Sequence, residues 1–79
     1  MSAAVTVRYW AGAQRAAGVE EEQLQAATIA ELRAQLAARA GFDRLSTVVT
    51  FLVDEQPAGD ASPLHDGAVV DVLPPFAGG

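Results

Sequence analysis

The chain has 79 residues, 51% of them hydrophobic, a formal net charge of −5 and no cysteine. That length holds one small domain around one core, and the missing thiols exclude disulfides, iron–sulfur ligation and zinc-thiolate sites, so any sulfur chemistry must use sulfur brought from elsewhere. The five cations are scattered arginines (Arg8, Arg15, Arg33, Arg39, Arg44), which argues against nucleic acid, and no run approaches the roughly 18 apolar residues of a membrane span.

The N-terminus lacks a basic segment followed by an apolar one, so no signal peptide is evident and a cytoplasmic location is expected. Val5, Thr6, Val7, Arg8, Tyr9 and Trp10 alternate with a period of two and predict a strand. Val5, Val7 and Tyr9 share one face; Thr6, Arg8 and Trp10 share the other. Trp10 is the oddity on that polar face, either capped by a loop or exposed for a partner. Residues 11–18 read as a connection with a short helical turn over 13–17. Residues 20–26 predict a second strand in a hairpin with the first, its three glutamates forming a solvated strand edge.

Thr28, Ile29, Ala30 and Glu31 make a capping box. Ile29, Leu32, Leu36 and Ala40 then recur at helical spacing, predicting a helix over 29–40 with one narrow apolar face. Gly41 suits the position that ends it, and Arg39 the last turn, where the helix dipole favours a cation. Residues 42–47 read as a loop. Residues 48–53 are short, β-branched and nearly all apolar, and predict a central strand. A turn at 54–56 leads to a brief edge strand that Pro57 keeps short. The Asp66-Gly67 turn opens a last strand over 68–73, with Val70 and Val72 facing the core, Asp71 outward and Leu73 on the outer face. The predicted fold class is α+β: a roll with a mixed sheet and one main helix packed across one face, the first and last strands side by side in parallel as in β-grasp folds.

Side-chain chemistry is thin. Ser62, His65 and Asp66 have the residue types of a nucleophilic triad, but three residues in one loop rarely reach the relayed geometry, and His65 reads as a solvated turn residue. No phosphate loop follows a strand. The chain reads as a substrate or carrier and not as a self-sufficient catalyst.

The ending is different. After the last strand come Pro74, Pro75, Phe76, Ala77, Gly78 and Gly79. The prolines stop a sheet ladder and favour an extended exit. Gly78 and Gly79 have no Cβ, so they fit a slot too narrow for other residues. The terminal carboxylate is the expected working group, and residues 1–73 form a domain that carries the flexible tail 74–79. With no lysine present, the chain has no side-chain amine on which to accept an isopeptide bond.

On Val7-Arg8-Tyr9-Trp10-Ala11, Thr28-Ile29-Ala30-Glu31-Leu32, Pro63-Leu64-His65-Asp66-Gly67 and above all Leu73-Pro74-Pro75-Phe76-Ala77-Gly78-Gly79, the chain resembles the ubiquitin-like sulfur carriers of the MoaD/ThiS family. The resemblance covers essentially the whole length, and the proline pair favours its molybdopterin branch. It implies a β-grasp fold and a non-catalytic, sulfur-carrying subunit whose Gly79 carboxylate, presented by Gly78, is adenylated and converted to a thiocarboxylate. It implies no permanently bound cofactor, ATP being used by an activating partner that resembles ubiquitin-activating enzymes. The large subunit of molybdopterin synthase is the second implied partner, in a heterotetramer. Trp10, Leu73, Pro74, Pro75, Phe76 and Ala77 are the expected docking residues for both. The same terminal chemistry also suits carriers for thiamine-thiazole or cysteine synthesis, and a ubiquitin-like modifier of other proteins.

Overall fold

Alternation along the first strand sets up the sheet. In the computed structural model, which describes residues 2–75, β1 (Ala3–Tyr9) buries Ala3, Val5, Val7 and Tyr9 and turns Thr6 and Arg8 to the opposite face. A short helix α1 (Gly12–Ala17) seats Ala13 in the core and ends on Gly18 at φ +83°. Next, β2 (Glu21–Ala26) returns antiparallel to β1, with Ala26 opposite Ala3 and Glu21 opposite Arg8. The main helix α2 (Ile29–Ala37) follows, then a 3-10 turn at Leu45–Thr47, β3 (Thr50–Val53), β4 (Gln56–Ala58) and β5 (Val69–Leu73). The sheet order is β2-β1-β5-β3-β4. β5 lies parallel to β1 and antiparallel to β3, as the expected α+β roll requires.

Ile29, Leu32 and Leu36 of α2 join Val5, Val7, Phe51, Val70 and Val72 of the sheet in one core. The Thr28 half of the capping box forms, the Glu31 N–H donating to Thr28 Oγ1 at 3.2 Å, while Glu31 Oε1 reaches one residue beyond the cap and accepts from the Ala27 N–H at 3.0 Å. Two further N–H groups of the first turn, those of Ile29 and Ala30, donate to the carbonyls of Ser62 and Asp60 at 3.1 and 3.0 Å. The helix start is therefore anchored to the loop that precedes β5.

Several expectations need correction. The regular helix stops at Ala37, and Ala40 is exposed. After Leu36 the chain tightens into single turns (Arg39 N–H to Leu36 O, 3.0 Å; Phe42 N–H to Arg39 O, 3.1 Å). Gly41 at φ +85° then swings Phe42 into the core, edge-on to Tyr9. A straight helix would have carried Phe42 past that pocket. The strand expected over 48–53 begins at Thr50, and Val48 is 51% exposed. That strand is interior but not central: β5 occupies the middle, and the partner of β3 on its other side is the three-residue β4.

Candidate docking face and carrier terminus

Ladder register decides which side chains share the outer face, away from α2. Arg8 sits opposite Asp71 across the parallel β1–β5 pair, with Thr6 opposite Val69. From β3, Leu52 sits opposite Asp71 and Thr50 opposite Leu73. Asp71 thus lies at the centre of a mixed face, with Val69, Leu52 and Leu73 on it beside Arg8, Thr6 and Thr50. It is on the outer side, as expected, but it is not solvent-exposed: only 4% of its surface is accessible. Arg8 and Trp10 cover it.

The cover is directional. Arg8 Nε donates to Asp71 Oδ1 at 2.7 Å and Nη2 to Oδ2 at 3.1 Å, a two-point fork. Trp10 Nε1 donates to the same Oδ1 at 2.9 Å, and the Arg8 guanidinium lies 5.8 Å from the centre of the indole ring. The Arg8 fork holds the Asp71 carboxyl below the usual carboxylate range against the opposing effect of burial, and Trp10 helps. Backbone geometry fixes where the indole starts. The Trp10 N–H continues the ladder to Val72 O at 3.2 Å, and Ala11 turns the chain sharply at φ +49° into α1. Trp10 is 48% exposed. Beside it runs a groove of about 240 Å³ lined by Arg8, Tyr9, Trp10, Gln14, Glu20 and Glu21.

The tail leaves from the same corner. Tyr9 pairs with Val72, so the next step of the register sets Trp10 beside Leu73. Leu73 and Pro74 are partly buried and Pro75 is exposed. Four of the expected docking residues (Trp10, Leu73, Pro74, Pro75) are thereby brought together. Phe76, Ala77, Gly78 and Gly79 lie outside the described residues. Sequence reasoning set Arg8 beside Trp10 on this face and turned Asp71 outward, but missed that Arg8 and Trp10 both close over the Asp71 carboxylate. The available signal was a lone charge, Asp71, inside an apolar strand that pairs with the strand carrying Arg8.

Elsewhere the polar groups have structural partners. Glu22, expected on a solvated edge, instead faces the core side of β2, where it accepts from the Tyr9 hydroxyl at 2.5 Å and pairs with Arg39. Arg39 pulls the Glu22 carboxyl down; burial, aided by Glu22, pushes the Tyr9 hydroxyl up. Arg39 is therefore committed to β2 and not to the end of α2. His65 Nε2 contacts Asp54 Oδ2 at 2.7 Å and Nδ1 contacts the Asp66 carbonyl at 2.9 Å, an arrangement satisfied by the imidazolium. Asp54 raises the His65 pKa. Ser62 Oγ accepts from the Gly59 N–H at 3.1 Å, so Ser62, His65 and Asp66 form no catalytic relay. Among the described residues no group of three or more His, Cys, Asp or Glu is placed to hold a metal, and no helix is long and apolar enough to cross a membrane.

A mixed five-stranded sheet with one main helix across one face, and a proline-led exit from its central strand, defines a protein of the ubiquitin-like β-grasp class. The sequence matches the ThiS family over residues 7–79, and the chain belongs to that family of sulfur carriers. No curated protein matches it in sequence. Among solved structures it is similar to subunit 1 in a complex of subunits 1 and 2 of the molybdopterin-converting factor from Helicobacter pylori, at 28% identity and TM-score 0.75, covering 96% of this chain and 99% of that one. A Pyrococcus furiosus protein provisionally assigned as molybdopterin converting factor subunit 1 superposes at TM-score 0.81 with 26% identity, covering 95% of this chain and all of that one (100%). The small archaeal modifier protein 1 from Methanosarcina acetivorans shares the fold at TM-score 0.80 and 20% identity, covering 100% of this chain and 99% of that one.

Proposed function

We propose that this chain is the sulfur-carrying small subunit of a molybdopterin synthase, with the Gly79 carboxylate as the group that carries sulfur. The carboxylate attacks the α-phosphorus of ATP on an activating partner and releases pyrophosphate. A sulfur nucleophile then displaces AMP from the acyl-adenylate and leaves a thiocarboxylate, an anion at neutral pH. Delivery takes place inside a large synthase subunit. The observation that carries this reading is the family match running through the diglycine, joined to a central strand whose exit lies beside Trp10 on the outer face. Its support for the molybdopterin branch is the likeness to subunit 1 of the Helicobacter pylori complex.

Reach is sufficient. The six residues from Pro74 to Gly79 span roughly 20 Å when extended, at about 3.3 Å each. Trp10, Leu73 and Pro75 then dock against the partner while Phe76, Ala77 and Gly78 enter its slot. A partner with an apolar patch and a basic rim suits a chain of net charge −5.

Intact-mass analysis tests the chemistry. With ATP, the activating enzyme and a sulfide source, the protein is expected to gain about sixteen mass units, oxygen replaced by sulfur, at its C-terminal peptide. Deleting Gly79 should abolish that gain without changing the circular dichroism spectrum. Sulfur transfer by the truncated chain sinks the mechanism, and larger adducts on lysines of other proteins point instead to a protein modifier.

A further inference from the structure

The Arg8–Asp71–Trp10 cluster is an unusual choice for a sheet face. Leu52 and Val69 flank Asp71, and an apolar residue at 71 would pack beside them at no desolvation cost. The carboxylate gives direction in return. Two of its three hydrogen bonds set the plane of the Arg8 guanidinium, and the third, 2.9 Å from Trp10 Nε1, pins the free edge of a half-exposed indole. Without that bond the ring is free to turn about its side-chain torsions.

We propose that Asp71 is the positioning residue of the docking face, holding the Trp10 indole in one orientation against Arg8 so that the partner meets a pre-set aromatic anchor beside the base of the tail. The inference rests on the docking role given to this face above. The occupant is a partner with an apolar surface, a slot for the emerging chain and cations at its rim. Charge complementarity favours it: Glu20 and Glu21 line the groove beside the indole, and Glu21 and Glu55 both act on the charge of Arg8. Four residues follow Pro75 in the sequence and β5 ends beside Trp10, so a surface seated on Trp10 is also placed to receive the tail. Aromatic anchors dominate interface energies, and an anchor ordered before binding saves the entropy of ordering it during binding.

Trp10 is the only tryptophan, so the free protein has one indole N–H resonance. That proton is expected to exchange slowly, and its shift to titrate with a midpoint below about pH 3.9, the ordinary aspartate value. Asp71→Asn should abolish the titration; an indole signal that ignores pH in the wild type overturns the proposal. The second test is a double-mutant cycle, read by calorimetry with the large synthase subunit of the same genome. Asp71→Ala should weaken binding about fivefold or more in the wild-type background and less than about twofold in the Trp10→Ala background, because Asp71 acts through the indole. Equal losses in both backgrounds, or no loss in either, overturn the positioning role while leaving the docking face intact. Trp10→Ala binding as tightly as wild type overturns the docking role itself. If Asp71→Ala does not fold, Asp71→Leu, which fills a similar volume but offers the indole no acceptor, carries the cycle with the same expected pattern.

Discussion

At the scale of single residues, Asp71 and Arg8 are unequal partners. Asp71 is almost fully enclosed, whereas the Arg8 side chain keeps 40% of its exposure. Removing the arginine therefore strands a buried carboxylate, while removing the aspartate leaves a cation that can turn to water. The native carboxyl is held below its ordinary value, so it contributes stability that is present above about pH 4 and fades as pH falls through the lowered native value. Arg8→Met should reverse that sign, since burial alone raises a carboxyl pKa. Its denaturant midpoint is expected to fall well below that of wild type near about pH 7, and the gap to narrow toward about pH 4 as Asp71 takes up its proton. Chemical denaturation across that range checks it; a gap that does not depend on pH contradicts the unequal partnership.

At the scale of elements, local chemistry was legible and long-range cover was not. The helix cap and the alternation of β1 could be read from nearby residues and a two-residue period, whereas the parallel pairing of the first and last strands came only from likeness to β-grasp folds. The burial of Asp71 depends on Arg8, 63 positions away in sequence, and no short window along the chain contains both. Phe42 was hidden for a similar reason: it follows Gly41 in a turn, and its burial is set by Tyr9 on another element. Glu22 looked like one of three equal glutamates, but strand alternation gives it a different face from Glu21. One element still carries local strain. The β3–β4 turn holds Asp54 at φ +49° and Glu55 at φ +70°, the left-handed pair for which Asn-Gly is favoured. Asp54 has a reason to stay, since its Oδ1 accepts from the Val69 N–H at 3.0 Å. The Glu55 side chain is exposed. Glu55→Gly is expected to stabilise the fold by about 0.5–1 kcal/mol, measured by urea denaturation; a loss of stability means the turn needs that side chain.

At the scale of the whole molecule, a chain without cysteine or lysine offers few reactive groups of its own. Its two sheet faces differ in role, one packing on α2 and the other presenting Trp10 and the exit of β5. The position of β5 has a mechanical meaning. Parallel to β1 and bonded to β3 on its other side, it sits between two ladders. Tension applied at Pro74 along the strand, against a body gripped at the start of β1, loads every β1–β5 bond at once in shear. Pulling Thr50 away from Leu73 instead peels an antiparallel pair open from one end. In a single-molecule pulling experiment, attachment through Ala3 and Pro74 should therefore rupture at clearly higher force than attachment through Thr50 and Leu73. A partner that grips the tail tightly can then tug on it, and release it, without unravelling the body to which it is tethered.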